Sequence, residues 1–294
     1  EHYDAAMAQL PNIMTGVSIT QVEVWVTNKS ASTSNTRNLI ALTDLGESRS
    51  QLWGRGGTLS AVPANGANGE YEAMTTIYAD ARDIEKASTV LDGVIEGGAD
   101  YEKLASARLL NASEYTLNSA LGFITLKTAL QTDQVLAVAF RFTYGGQTYQ
   151  VGEFASERTQ ASDALFVKTL KNTSNNPRQF NWPLMMKNVY YLASTVEREK
   201  FRLDIKFQSD TAGVYLNYIP EQQVKDITLL RGLGCDRLDN SYKTHPNGYF
   251  DFVEGYTVSN GRVFFPSVEP FGTTLRDFLK RYGISMSRYR AQLR

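Results

Sequence analysis

Leu136-Ala137-Val138-Ala139-Phe140-Arg141-Phe142-Thr143-Tyr144 is the stretch on which the fold turns. Every second residue is large and apolar and those between are small or polar, which is the two-residue period of a β-strand. Two kinds of protein write that pattern: a membrane barrel with its apolar side in lipid, and a sheet with one face in a core. The other clearly alternating segments are short and too few to close a lipid-spanning barrel, whose open edges would strand backbone groups in hydrocarbon. The expectation is a soluble, extramembrane β fold that does not itself span the membrane. No signal peptide opens the sequence, and no apolar run has the length of a spanning helix.

Working outward, Thr20 to Thr27 reads as a strand with Val22, Val24 and Val26 on one face. A polar loop over 28–38 and a second strand from Leu39 to Leu45 complete a long-looped hairpin. Phe201 to Phe207 repeats the plan, with Phe201, Leu203, Ile205 and Phe207 on one face and Arg202, Asp204 and Lys206 on the other, before a turn and a strand from Val214 to Ile219. Tyr115-Thr116-Leu117-Asn118 before Gly122-Phe123-Ile124-Thr125-Leu126 parallels Tyr256-Thr257-Val258-Ser259 before Gly261-Arg262-Val263-Phe264-Phe265, each a strand, a glycine turn and a returning strand. The repeated order predicts two related, hairpin-built, sandwich-like β domains over 1–155 and 181–272. The Ser/Thr/Asn/Gln-rich stretch 156–180 reads as the linker.

Helix is the minority, so the class is mainly β (α+β). Asp80 and Asp83 resemble an N-terminal cap, and Ile84, Ala87, Leu91 and Val94 or Ile95 follow at helical spacing until Gly97-Gly98. With a shorter helix from Tyr101 to Leu110, this makes a helical insertion near 80–110. Leu275, Phe278, Leu279 and Tyr282, among Arg and Lys, predict a C-terminal helix or tether over 273–294.

The 294 residues are 42% hydrophobic and 21% charged with a net charge of -1, which supports a buried core and gives no electrostatic pull towards nucleic acid. The single Cys235 excludes an internal disulfide and reads as a small buried hydrophobe. Only His2, expected to be terminal and unstructured, and His245 are present, and neither stands in a His-Glu-x-x-His arrangement. There is no Gly-x-Ser-x-Gly elbow, and Gly54-Arg55-Gly56-Gly57 lacks the Lys-Ser/Thr of a phosphate loop. No catalytic, cofactor-binding or metal residue is assigned, and the chain is expected not to be an enzyme. Asp236, Asp239, Asn240, Asn247, Asp251 and Glu254 gather oxygen ligands around Gly248, as a structural calcium loop would, but their spacing is not that of an EF-hand and Asp and Asn are also the common turn residues. Asp251 and Glu254 admit a glycosidase carboxylate pair or, more simply, surface solubility. Trp25, Trp53 and Trp182 admit an exposed platform for carbohydrate or a place in core and strand.

A resemblance narrows the function. Phe180-Asn181-Trp182-Pro183-Leu184-Met185-Met186-Lys187-Asn188-Val189-Tyr190 reads physically as an aromatic and Met core segment leading into the strand at Phe201. It is followed by Asp236-Arg237-Leu238-Asp239-Asn240, Gly248-Tyr249-Phe250-Asp251-Phe252-Val253-Glu254-Gly255, Gly261-Arg262-Val263-Phe264-Phe265-Pro266 and Glu269-Pro270-Phe271-Gly272. In this order, with Val22-Glu23-Val24-Trp25-Val26-Thr27-Asn28 and Tyr149-Gln150-Val151-Gly152-Glu153 in the first half, the segments resemble the SprA/Sov family, the outer-membrane translocon of the Bacteroidetes type IX secretion system. The resemblance runs from about residue 14 to 272 and implies a fragment of a much longer protein. It also implies association with the outer membrane at the cell surface, on its extracellular or periplasmic side, passage of folded cargo, a PorV-type outer-membrane partner, a plug protein and, in gliding bacteria, a part in motility. Where the family often has Asp-Gly, this chain has Asn247-Gly248, which removes a charged ligand from the calcium candidate. Asp210-Thr211-Ala212 fits the loose tripeptide at which Bacteroidetes O-glycosylate exported proteins, a rule that enters only through the resemblance. The alternative is a surface β-domain that binds carbohydrate or acts as an adhesin.

Overall fold

The computed structural model describes residues 2–30, 33–47, 62–174, 176–208 and 213–285. Strand outweighs helix, 26% against 17%, so the fold is mainly β with minority helix. The chain forms two compact units: Thr15–Met185, and Glu1–Met14 together with Met186–Arg294.

The first unit is a small five-stranded barrel. Its strands are β1 (Val17–Val26), β2 (Thr36–Leu42), β3 (Tyr101–Leu109), β6 (Leu136–Tyr144) and β8 (Leu165–Lys171). Hydrogen bonding runs β1, β3, β2, β8, β6 and back to β1. Trp25↔Leu109 and Val26↔Arg108 join β1 to β3, and β2 and β8 are the one parallel pair in the ring. β7 (Gln147–Val151) extends β6 beyond the point where β8 leaves it.

Alternation sorts the side chains. Trp25, Leu39, Ala41, Leu104, Ala107, Ala137, Ala139, Leu165 and Val167 point inward and pack together. So few strands enclose a narrow lumen, which Trp25 fills and into which the neighbouring strands project alanines. The large apolar residues of β6 point outward, yet they are covered by the protein itself. Val24, Val26, Leu136 and Val138 lie under the hairpin of β4 (Tyr115–Asn118) and β5 (Phe123–Leu126), where Tyr115, Ile124 and Leu126 pack on them. Ile40, Leu42, Phe142 and Phe166 lie under the insertion, which contributes Met74, Ala81, Ile84, Ala87, Leu91 and Ile95. The first half of this strand, Leu136–Ala139, is buried on both faces because the barrel has a core inside and a covering outside.

Several expectations are corrected. β1 and β2 do not form a hairpin, because β3 lies between them. The supposed helix over Tyr101–Leu110 is β3. Tyr101 faces outward and Leu104 inward, and Ser106, at φ 51, forms a bulge that returns Ala107 to the inward face. A spacing of three thus arose in a strand. The helix expected over 80–97 is broken into a 3-10 turn at Ala79–Arg82 and a single turn, α3 (Ala87–Val90), because Asp83 adopts an extended ψ of 107. A second helix, α2 (Glu70–Thr76), lies earlier than the expected insertion. The linker over 156–180 contains β8, between β2 and β6, and the barrel unit continues to Met185.

The second unit has its own core around Leu229, Leu230, Cys235, Phe250, Val263, Phe265, Phe278 and Leu279. Residues 1–14 belong here and not to the first domain. His2 begins the helix α1 (His2–Met7), whose Tyr3 hydroxyl donates to the Phe265 carbonyl at 2.8 Å. β9 (Val189–Tyr191), β12 (Val258–Ser259) and β13 (Arg262–Phe264) form a three-stranded sheet in which the Asn260-Gly261 turn has φ values of 49 and 70. This hairpin and the β4–β5 hairpin form where the Tyr-Thr pattern places them. The C-terminal helix α4 (Leu275–Arg281) follows a π turn over Pro270–Thr274, and Leu275, Phe278 and Leu279 enter the core, so this helix is integral to the unit; residues 286–294 of the expected helix or tether lie outside the described residues. Barrel and three-stranded sheet differ in architecture, and the two units are not sandwich-like copies of one plan.

Candidate functional site

Four of the six oxygen-bearing residues of the calcium candidate, Asp236, Asp239, Asn247 and Asp251, accept from backbone N–H groups. Asp236 Oδ1 accepts from the Asn247 N–H at 2.8 Å and its carboxylate also receives Gly248. Asp251 accepts from Arg237 and Leu238, each at 2.9 Å. Asp239 Oδ1 takes the N–H groups of Ser241 and Lys243, while Asn240 and Asn247 bond through their side-chain amides at 3.2 Å. These are loop-fixing roles. Among the described residues no group of three or more His, Cys, Asp or Glu is placed to hold a metal ion. Asp251 is buried and Glu254 exposed, so the two do not flank a common cleft as a glycosidase pair must. Burial pushes the Asp251 carboxyl up to about 6, aided by Asp236 and opposed by the Leu238 and Arg237 N–H groups and the Arg237 charge. Burial likewise pushes the Cys235 thiol well up, which leaves it an inert core group.

In the barrel unit the densest charged cluster is also structural. Arg82 grips Glu153 with bonds of 2.8 and 2.7 Å, Arg158 adds one of 3.1 Å, and the Tyr71 hydroxyl donates at 3.0 Å. The Phe166 N–H completes the shell at 3.0 Å, and the Arg82 guanidinium lies 4.0 Å from the Phe166 ring centre. Burial disfavours the Glu153 charge, but the Arg82 bonds, the Phe166 N–H and the nearby cations outweigh it and hold the carboxyl below its ordinary range. The cluster ties the insertion to β7 and β8 and was not legible from spacing, since Arg82 and Glu153 are far apart in sequence.

Trp25 is 1% exposed inside the barrel and cannot serve as a platform. Trp182 is half-buried, and Trp53, Gly54–Gly57 and Asp210–Ala212 lie outside the described residues. The Phe180–Tyr190 segment is not simply core. Asn188 is buried and donates to the Phe265 carbonyl at 2.8 Å, whereas Phe180, Leu184 and Met185 are exposed.

One feature open to a partner is a strand edge in the second unit. Phe201, Leu203, Ile205 and Phe207 pack on the core, with Phe201 against the rings of Phe250 and Phe252 at 5.7 and 5.2 Å. Arg202, Asp204 and Lys206 alternate with them, exposed. Only β10 (Phe207–Gln208) pairs with a neighbour, β11 (Tyr215–Leu216). From there the chains part, and the Asn217 carbonyl accepts from Leu229 at 2.8 Å. Between them lies a shallow recess of about 240 Å³ lined by Arg202, Asp204, Lys206, Tyr215, Leu216 and Asn217. Neither a protein-family model nor a curated protein matches this chain.

Proposed function

We propose that the chain is a non-catalytic structural and interaction region of a type IX secretion translocon, lying outside the lipid and associated with the outer membrane. The reading rests on the ordered segments between residues 14 and 272 that resemble the SprA/Sov family. The observation that favours contact over chemistry is the fate of the polar groups: the buried carboxylates of Asp236, Asp251 and Glu153 are taken up by backbone N–H groups and arginines, while strand edge and apolar side chains face outward. Among the described residues no helix is long and apolar enough to cross a membrane. In this role the units shape the translocon and offer β-surfaces to cargo, a PorV-type protein or a plug.

In-frame removal of residues 15–185 from the parent gene, in a type IX-secreting Bacteroidetes host, tests the proposal. Cargo is expected to accumulate in the periplasm while the rest of the parent remains in the outer membrane. Normal secretion by that strain rejects it, and protease applied to intact cells reports which side of the membrane the region occupies.

A further inference from the structure

The segment Arg202–Lys206 has the side-chain order of a sheet strand without a strand's hydrogen bonds. Its apolar residues are anchored on the core of the second unit, which fixes the segment in place. Yet among the described residues none of its five backbone N–H groups and none of its five C=O groups has a protein partner. Bonding stops at the Phe201 N–H, which donates to Arg198, and resumes at Phe207, paired with Leu216. A side-chain-anchored strand with an open ladder is a template for another strand.

The outward face says what such a strand must carry. Arg202, Asp204 and Lys206 present a positive, negative, positive order, with Arg202 Nε 3.2 Å from Asp204 Oδ2. Opposite charges facing one another across a ladder stabilise it and like charges oppose it. A second copy laid antiparallel in full overlap sets Arg202 against Lys206 and Asp204 against Asp204, so the segment disfavours its own partner in that register. A strand with acidic, basic and acidic residues in alternation matches at all three positions, and because the order is palindromic it does so in either direction. Tyr215, 64% exposed beside the recess, offers an apolar wall to such a strand.

We infer that the Phe201–Phe207 edge receives an extended peptide from another polypeptide by strand addition, its exposed face bearing acidic, basic and acidic residues in alternation and its inward residues apolar. The inference stands on the geometry of the second unit and does not depend on the translocon reading.

The test uses the whole chain and three labelled peptides followed by anisotropy: Val-Glu-Val-Lys-Val-Glu-Val, its charge-inverted form Val-Lys-Val-Glu-Val-Lys-Val, and the first peptide with its central Lys-Val replaced by Pro-Pro. The matched peptide is expected to bind saturably, about tenfold tighter than the inverted one. The proline peptide is expected not to bind, and amide exchange at 202–206 is expected to slow when the matched peptide is added. Equal binding of matched and inverted peptides, binding of the proline peptide, or no binding of any of them overturns the inference. So does protection of 202–206 in a peptide-free dimer, which assigns the edge to a second copy.

Discussion

Arg82 and Glu153, 71 positions apart, meet in a buried two-pronged ion pair with bonds of 2.8 and 2.7 Å, and this contact fastens the insertion to the barrel. Both side chains are nearly sealed from solvent, at 11% and 3% exposure. Removing one partner leaves the other charged in a place water does not reach.

Glu153→Gln is therefore expected to lower the stability of the barrel unit by about 3 kcal/mol, read from the denaturation midpoint at neutral pH. The Glu153 carboxyl is held below its unfolded value of about 4.3, so its contribution is complete above that pH and is lost as pH falls through the folded value. The variant should show a flatter acid limb than the parent. An equally steep limb in both would assign acid unfolding to other carboxylates.

Trp25→Ala empties the narrow lumen, where Ala41, Ala107, Ala137 and Ala139 are too short to close the gap. A loss of about 3–5 kcal/mol is expected, with the near-ultraviolet signal of the fold weakened in parallel. Ala139→Leu attacks the same place from the other side and should cost about 1–3 kcal/mol by overpacking.

Gly261 closes the β12–β13 turn at φ 70, and a Cβ there would stand 1.6 Å from the Ala193 carbonyl oxygen. Gly261→Ala is expected to destabilise the second unit by more than the about 1–3 kcal/mol of backbone strain alone. Amide exchange should rise at Tyr190–Tyr191 and Arg262–Phe264, where the sheet is paired. Protection unchanged there would show that the turn does not set the register.

Asp251 titrates in the opposite sense to Glu153. Its folded value near 6 lies above the unfolded value of about 3.9, so the folded state holds the proton more tightly and its contribution falls as pH rises between those values. Asp251→Asn is expected to remove that slope and also to destabilise the second unit, since the Arg237 and Leu238 N–H groups bond different carboxylate oxygens and the amide puts an NH2 donor in place of one of them. Because backbone donors occupy Asp236 and Asp251, neither added calcium nor a chelator is expected to move the melting temperature. A calcium-dependent rise would restore the metal reading of this loop.

Much of the local structure was legible. The β-strand of Leu136–Tyr144, the β4–β5 and β12–β13 hairpins and the buried positions Ile84, Ala87, Leu91 and Ile95 follow from alternation, glycine turns and apolar spacing. β3 was misread because Ser106 inserts an extra residue, and a bulged strand buries Leu104 and Ala107 at the three-residue interval of a helix. β8 was hidden in a polar neighbourhood that reads as linker, although Leu165, Phe166 and Val167 are buried on both faces of the sheet. The Arg82–Glu153 pair and the open edge at 202–206 left no mark in the order of residues, because each depends on which chain segment arrives, or fails to arrive, beside another.

By itself the sequence determined that this is a mainly β protein, where its tight turns fall, and which residues within each strand share a face, since those properties depend on neighbours a few positions apart. Only the tertiary structure decided that β1 lies beside β6 and β3 instead of β2, that the strands close into a barrel covered on its outside, and that residues 1–14 join the second unit. Strand pairing is a choice among distant partners with nearly equivalent edges. It is settled by the joint packing of Trp25, the facing alanines and the covering elements, not by any stretch read alone.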